Sequence, residues 1–260
     1  VRYSDDLGKS WSDRAVIPIP RSAIDSENPL GSGRVISWMS GAPRKIGSAI
    51  YIGLSKIGEF KPGANGIKTE AFLLRTTDPL DPAAYTLAPG NNRGFAAPDG
   101  SGAAEEPSFT ELPGGRLYVV MRGTSGHLTK AIENRKTGTW DIAAERHANG
   151  DLALQPRAKS VVFRIAASRY VLWTHNNSRP GFKANRNPVY ISCGDASADG
   201  ISWGSPRPLL FDPDSNIGIS YPSFVRLGDE VLISQTNKKD VRVHRFTTEE
   251  LCPSADEARP

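Results

Sequence analysis

No run of about eighteen apolar residues occurs in the 260-residue sequence, so we expect no helix that spans a membrane. Clusters of basic residues are also missing: 32 Lys and Arg against 28 Asp and Glu leave a net charge of +4, and the Lys and Arg are scattered. A dedicated nucleic-acid surface is therefore not expected, and the mild positive charge favours acidic ligands. The opening residues show no signal peptide, which leaves the localisation open; a signal peptide on a longer form would indicate a secreted or periplasmic protein.

Cysteine is scarce, and the two that occur, Cys193 and Cys252, do not have the spacing of a metal site. Cys193 lies in a strand-like run, where we expect a buried apolar residue rather than a reactive thiol. The cysteines therefore do not define the redox compartment of the protein. We expect neither a metal nor a cofactor.

Helical patterns are almost absent as well, and the one exception is a short terminal helix predicted at 247–251, with Thr247 as its N-cap. The 25 Gly and 20 Pro instead indicate many short strands separated by turns, which excludes a helical bundle. We therefore expect one large all-β domain over residues 1–260. Residues 88–104 and 176–187 are predicted to be long loops, where ligand contacts on a rigid scaffold usually lie.

Internal similarity is the strongest organisational signal that is present. Residues 106–122 and 221–236 both read as a polar residue, Pro-Ser-Phe, a short strand, a Gly-containing turn and an apolar strand. A weaker copy covers 159–175, and a fourth begins at Ala42, with 49–53 as its second strand. Units spaced by roughly 50 to 60 residues are typical of propeller blades made of four antiparallel strands.

A tight turn of the form Ser-x-Asp-x-Gly-x-x-Trp is a second recurring feature. It is complete at 4–11, shorter by one residue at 197–203, and eroded at 133–140, where Gly138 and Trp140 remain. In such a turn the Asp side chain accepts backbone N–H groups, the Gly adopts a positive φ, and the Trp packs over the blade. These turns therefore indicate the fold and carry no chemistry themselves.

Glu106 and Tyr221 hold the same position in two repeats, each directly before Pro-Ser-Phe. If this strand is the innermost of its blade, both side chains converge on the central axis. A three-residue turn in the first repeat places Glu106 opposite Arg122, and in the weaker copy His175 takes the position of Arg122. A two-residue turn in the last repeat likewise places Thr236 opposite Tyr221.

One end of the axis is therefore predicted to gather Tyr221, Glu106, Arg122 and His175. A carboxylate beside a phenol can remove its proton and so make Tyr221 a nucleophile. Arginines bind a substrate carboxylate through two parallel hydrogen bonds. Glu105 competes as the base, although alternation along the strand puts it on the face opposite Glu106.

The Asp turns and the Glu-to-Arg hairpin together resemble the sialidases, a family of six-bladed Asp-box propellers. The site of that family has a Tyr nucleophile, a Glu that activates it, an Asp acid/base and three arginines that clamp the substrate carboxylate. The resemblance implies that Glu106 and Arg122 are the family's Glu and second clamp Arg, that Arg186 is the third, and that Tyr221 is the nucleophile. It covers nearly the whole chain and implies an all-β, sialidase-like propeller of the six-bladed type, with four to five blades in this chain.

Four departures from the family pattern stand out. The first clamp Arg belongs to a strand ahead of the first Asp turn, and this chain starts at that turn. Ala42, at the position equivalent to Glu106 and Tyr221, has no reactive side chain, and no acid/base Asp can be assigned. Four to five blades also do not close a ring of six. We therefore expect an incomplete first blade, in a chain that is a fragment or a remnant that lost a blade.

The sequence leads to three functional hypotheses. The first is an exo-acting glycoside hydrolase that releases a terminal acidic sugar, sialic acid, from a glycan or glycoconjugate through Tyr221 and Glu106. The second is a lyase or hydrolase acting on uronic-acid polysaccharides, with His175 and Tyr221 as base and acid and with Arg122 and Arg186 neutralising the uronate. The third is a non-catalytic glycan-binding propeller. Structural roles also stay open, such as a simple cross-strand ion pair between Glu106 and Arg122.

Overall fold

The computed structural model describes residues 1–31, 33–60, 67–90, 92–98, 100, 103–175, 186–214, 216–237 and 239–253. Within these residues the chain is nearly all β, and its strands form four separate antiparallel sheets. The first strands of the four sheets surround one central cavity, which is the arrangement of blades in a β-propeller. The all-β propeller class predicted from the repeats is therefore confirmed, and a closed ring of six blades stays a prediction.

The blades follow one another along the chain. Blade I consists of β1 (Ser37–Ile46), β2 (Ala49–Phe60), β3 (Ile67–Thr76) and β4 (Thr86–Ala88). Blade II consists of β5 (Glu105–Glu111), β6 (Leu117–Arg122), β7 (Thr129–Asn134) and β8 (Thr139–Ala144). Blade III consists of β9 (Val161–Arg164), β10 (Arg169–His175), β11 (Val189–Ala196), β12 (Ile201–Trp203) and β13 (Arg207–Leu210). Blade IV consists of β14 (Ser220–Leu227), β15 (Glu230–Thr236) and β16 (Val241–Thr247).

Helices are few and short. Two 3₁₀ segments lie at Ala23–Glu27 and Pro82–Ala84, and one α-helix, α1, follows β16 at Thr248–Leu251. The Thr247 hydroxyl accepts from the backbone N–H of Glu250, and Glu250 in turn accepts from the Thr247 N–H. The predicted terminal helix is thus confirmed. Among the described residues, no helix is both long enough and apolar enough to cross a membrane.

Three apolar cores join neighbouring blades. The strands of blade II are apolar on both faces, and all six residues of β6 are buried because blades I and III cover the two sides. Between blades III and IV, Trp173 packs edge-on against Phe224, with ring centroids 5.9 Å apart. Burying each large apolar side chain contributes about 1.5–3 kcal/mol, so these interfaces fix the relative positions of the innermost strands.

The remaining face of blade I is covered by the segment that precedes β1. Ile24 packs on Leu54, and Lys56 forms a fully buried ion pair with Asp25, with Nζ and Oδ2 2.8 Å apart. The Lys56 ammonium also donates to the carbonyl oxygen of Pro20 at 2.6 Å. Because a buried charge is tolerated only when it is paired and hydrogen-bonded, this pair holds the segment against the blade.

The Asp turns at 133–140 and 197–203 lie between strands, as expected, whereas no described strand flanks the first turn at 4–11. In the first turn Asp6 Oδ1 accepts from the backbone N–H of Ser10 at 2.9 Å, and Gly8 has a φ of +88°. Hydrogen bonds from Ser10 lower the pKa of Asp6 to about 2. Trp11, however, is 59% exposed, so the prediction that it packs over a blade was wrong. Its indole N–H instead donates to the Gly8 carbonyl oxygen within the turn at 3.1 Å.

In the other two turns the tryptophan packs against the core, fully buried at Trp203 and half-buried at Trp140. Trp140 packs edge-on against Phe95 with centroids 4.8 Å apart. Gly138 adopts the positive φ that the eroded turn requires, whereas Gly200 does not, and Asp199 is almost fully exposed. In these turns the tryptophan, rather than the Asp, keeps its structural role.

The predicted loops were tested in part. The described residues of 89–104 lie in the connection between β4 and β5, as expected, whereas Ala88 is the last residue of β4. Most of the second predicted loop, 176–185, lies outside the described residues.

A disulfide bond joins Cys193 in β11 to Cys252 at the end of α1. The expectation that Cys193 is only a buried apolar residue was therefore wrong. The two residues are 59 positions apart in the chain, and they meet because α1 folds back onto the core between blades III and IV. The bond ties the end of the described chain to the third blade.

Loss of this disulfide should destabilise the protein. The double variant Cys193→Ser/Cys252→Ser is expected to lose about 2–4 kcal/mol of unfolding free energy, because the bond restricts a long loop in the unfolded chain. Denaturant unfolding of the parent and the variant measures the difference. Reductant should bring the parent to the stability of the variant, and an unchanged midpoint in reductant would contradict the prediction.

Candidate functional site at one end of the axis

The innermost strands β1, β5, β9 and β14 line a narrow cavity of about 60 Å³ along the axis. This volume is far below the roughly 300 to 1,000 Å³ of a typical ligand site. At one end the space widens into an open pocket of about 420 Å³, the axial pocket. Its described lining consists of Trp38, Met39, Ser40, Gly41, Glu106, Arg122, Lys159 and Tyr221.

Glu106 and Tyr221 enter the pocket from equivalent β-bulges. They have φ values of +49° and +51°, which non-glycine residues seldom adopt, at a cost of about 1–2 kcal/mol each. In each case the next residue, Pro107 or Pro222, has no N–H group to continue the ladder of hydrogen bonds. The two residues, which the repeat places at equivalent positions, therefore also share the same backbone conformation.

The bulges correct the predicted strand pairing. Beyond the bulge the register is as expected, but before it the partner of Arg122 is Glu105, not Glu106. In blade IV the partner of Thr236 is likewise Ser220 rather than Tyr221. The inserted residue shifts each register by one, which a count from the turn cannot reveal.

Glu105 and Glu106 also lie on the same side of Arg122, contrary to the expected alternation. Arg122 Nε lies 3.2 Å from Glu105 Oε2 and 3.0 Å from Glu106 Oε2. The positive φ of Glu106 breaks the two-residue period and brings both carboxylates to the same guanidinium. Glu105 is fully buried, whereas Glu106 borders the pocket.

Arg157, which no sequence motif singles out, completes this ion cluster. Its Nε and Nη2 donate to the two oxygens of Glu105 at 3.1 and 2.5 Å, a bidentate contact. Its carbonyl oxygen accepts from Arg122 Nη1 and from Arg186 Nη2, both at 3.1 Å. Arg157 therefore links blade II to the start of β11.

Arg186 and Tyr221 pack against each other. The guanidinium carbon of Arg186 lies 5.7 Å from the centroid of the Tyr221 ring, and Arg186 Nη1 donates to Ser220 Oγ at 3.1 Å. Tyr221 is 43% exposed, so its ring is open to solvent beside the cation. The structure thus brings Tyr221, Glu106, Arg122 and Arg186 to one end of the axis.

His175 lies apart from this group. It is 2% exposed, its Nδ1 accepts from Gln155 at 3.1 Å, and its Nε2 donates to the Ile219 carbonyl oxygen at 2.7 Å. Burial lowers the pKa of His175 to about 3, helped by the nearby arginines 186 and 122. The residue borders a neighbouring open pocket of about 450 Å³ together with Tyr190, and not the axial pocket.

Lys159 is a second residue to which no sequence motif assigns a role, although it is the first residue of the weaker repeat. It lines both the axial cavity and the axial pocket. With Arg122, Arg157 and Arg186 it gives four cations around two carboxylates. The site therefore has a surplus of positive charge. Within the described residues no group of three or more His, Cys, Asp or Glu side chains could hold a metal ion.

Comparison with known proteins bears on the fold. No protein-family model and no curated protein matches the sequence. The leech intramolecular trans-sialidase matches with a TM-score of 0.60 and 16% identity, over 96% of this chain and 36% of that chain. An exo-1,5-α-L-arabinanase from a bovine ruminal metagenomic library matches with 0.56 and 15%, over 96% and 87%. A GH43_1 enzyme from Xanthomonas citri, complexed with xylotriose, matches with 0.58 and 12%, over 82% and 71%.

The fold is a β-propeller shared with glycoside hydrolases. At these identities the likeness shows the fold of the chain alone. The neighbours act on different sugars, so the propeller by itself does not select a substrate, and the choice depends on the side chains at the axis.

The burial of His175 predicts how the free energy of unfolding depends on pH. Its pKa in the folded propeller is about 3, below the ordinary value of 6.5, so the unfolded chain binds a proton at this residue more readily than the folded one. The contribution of His175 to the free energy of unfolding is therefore complete above pH 6.5 and is lost as the pH falls toward 3. Between about pH 7 and pH 5 this loss amounts to about 2 kcal/mol. His175→Gln should lower stability at pH 7 and flatten the profile over that interval, as measured by denaturant unfolding. An unchanged slope would mean that His175 does not contribute to it.

Proposed function

We propose that this chain is an exo-acting glycoside hydrolase of the sialidase type, which releases a terminal acidic sugar, sialic acid, from a glycan or glycoconjugate. The proposal is carried by one observation: Tyr221 and Glu106 occupy equivalent bulges and line the same pocket beside Arg122. In the proposed reaction Tyr221 attacks the anomeric carbon, Glu106 accepts its proton, and the sugar is released with retention through a tyrosyl intermediate.

The charge around the pocket supports an acidic sugar. Arg122 and Arg186 are the proposed receptors for the substrate carboxylate, because a guanidinium offers two parallel donors to it. Arg157 holds both through its carbonyl oxygen, so neither guanidinium needs to be ordered when the substrate binds. A neutral Tyr221 also repels an anionic substrate less than a carboxylate nucleophile would.

The lyase hypothesis is weaker. It needs His175 as a base within reach of a uronic acid, but His175 is buried, has both ring nitrogens hydrogen-bonded, and borders a different pocket from Tyr221. An imidazole in this environment is a structural residue. The site therefore favours hydrolysis over elimination.

A non-catalytic glycan-binding propeller is the second candidate. In its favour, Glu106 is the one carboxylate among the described residues that line the axial pocket. Such a protein would use the same arginines to bind a sialylated glycan but would release it unchanged. Turnover and binding must therefore be measured on the same preparation.

Substitution of the nucleophile tests the proposal. Tyr221→Phe is expected to lower kcat/KM for a fluorogenic sialoside on the order of 10³-fold or more, because the attacking oxygen is lost. Glu106→Gln should lower it by about 10²–10⁴-fold, since the base is lost while the shape is kept. Tyr3→Phe is the matched control, since Tyr3 is similarly exposed, at 47% against 43% for Tyr221, and lies directly before the first Asp turn, outside the axial pocket.

The results separate the hypotheses. Activity that survives Tyr221→Phe would contradict the assignment of the nucleophile. Tight binding of sialyllactose by the parent, without release of sialic acid, would favour the glycan-binding propeller. A product that absorbs in the near ultraviolet, formed from a uronic-acid polysaccharide, would favour the lyase.

A further inference from the structure

Lys159 holds in blade III the position that Glu106 holds in blade II. Each lies five residues before the end of the first strand of its hairpin, at Arg164 in β9 and Glu111 in β5. Blade III packs between blades II and IV, so Lys159 lies between Glu106 and Tyr221 on the wall of the axial pocket. A lysine thus takes the central place among three side chains that border one pocket.

The surroundings of Lys159 favour the neutral form of its amine. Burial lowers the pKa of the Lys159 amine; Glu106 opposes this shift, and the positive charges of Arg44 and Arg122 add to it. Among the described residues no ion pair includes Lys159, whereas Arg122 and Arg157 are both committed to glutamates. The lysine is therefore not part of the cluster that holds the arginines, and its proton is transferable.

The chemistry of the proposed reaction leaves one role open in this pocket. Glu106 accepts the proton of Tyr221, and the leaving oxygen of the glycosidic bond needs a proton from another group. A guanidinium is a poor proton donor in general acid catalysis, so the arginine of the lining does not fill this role. Of the described pocket lining, Lys159 is then the remaining side chain that can donate a proton and take it back.

The geometry points to Lys159 as the acid/base residue of the proposed glycosidase, a role that rests on the proposed function. In the first half-reaction the bond between the anomeric carbon and the leaving oxygen breaks, and that oxygen takes a proton from the Lys159 ammonium. At the same time Tyr221 Oη bonds to the anomeric carbon, and its own proton passes to Glu106. The alcohol leaves, and Lys159 is left as a neutral amine.

The second half-reaction reverses these transfers. Lys159 takes a proton from water, and the water oxygen bonds to the anomeric carbon. The bond to Tyr221 breaks, and the phenolate oxygen recovers its proton from Glu106. One water is consumed, and all three side chains return to their starting states.

Dependence on the leaving group tests this role. Lys159→Met is compared with the parent on an aryl sialoside, whose phenolate leaves without a proton, and on sialyllactose, whose alcohol does not. We expect kcat/KM for sialyllactose, which reports the first half-reaction, to fall by about 10²–10⁴-fold because the proton donor is lost. For the aryl sialoside kcat/KM should fall by less than about tenfold. Its kcat should fall together with its KM, because the second half-reaction loses its base and the tyrosyl intermediate accumulates.

Lys159→Arg separates proton transfer from charge. Arginine keeps the positive charge but cannot donate a proton, so this variant should behave like Lys159→Met. Lys136→Met, in the exposed turn between β7 and β8, is the control for loss of a lysine and should leave both activities unchanged. Circular dichroism and thermal unfolding show whether each variant is folded.

Two results would overturn the acid/base role while leaving the proposed function in place. One is an equal loss of kcat/KM on both substrates with a raised KM, which would make Lys159 a receptor for the substrate carboxylate. The other is full activity of Lys159→Arg on sialyllactose. A parent that turns over neither substrate would instead overturn the proposed function, and the role of Lys159 with it.

Discussion

Two β-bulges at the start of innermost strands determine where the candidate site lies. Pro107 and Pro222 interrupt the hydrogen-bond ladder, and the residue before each proline takes a positive φ. Glu106 and Tyr221 thereby leave the alternation of their strands and border the axial pocket. Strain of this kind persists only where the surroundings over-determine the backbone, and here both strands continue into the apolar cores between blades. The packing of the blades thus sustains the conformation on which the proposed chemistry depends.

Charge is organised around one buried carboxylate. Glu105 is inaccessible to solvent, which would cost several kcal/mol without compensation, and two guanidinium groups surround it, from Arg122 and Arg157. Arg122 belongs to β6 of blade II, and Arg157 lies in the connection to blade III, so the carboxylate ties two blades together at the rim of the pocket. The carbonyl oxygen of Arg157 extends the same network to Arg186. A structural ion cluster therefore also positions the arginines that would receive a substrate carboxylate.

Features that recur in the sequence could be predicted from it, whereas features outside the repeats could not. Pro-Ser-Phe recurs, so the blades, the innermost strands and the convergence of Glu106 and Tyr221 were all predictable. The shift of register was not, because a count from the turn carries no information about an inserted residue. Arg157 lies in the connection between β8 and β9, outside the repeated segments. Cys193 and Cys252 are brought together only by the packing of α1 on the core between blades III and IV. His175 was expected to take the place of Arg122, but β9 pairs with β10 without a bulge, and His175 lies opposite Val189 of β11.

The four blades share one backbone plan, and their asymmetry at the axis comes from side chains. The equivalent positions hold Ala42, Glu106, Lys159 and Tyr221, so blade I alone contributes no ionisable group there. On that side the described wall of the axial pocket is formed by Trp38 and Met39 together with Ser40 and Gly41. A sugar has apolar C–H faces and polar edges, and binding sites combine an apolar surface with a few placed polar groups. Under the proposed function, a wall that is largely apolar on one side and charged on the others would admit an acidic sugar in one orientation, with its carboxylate turned away from blade I.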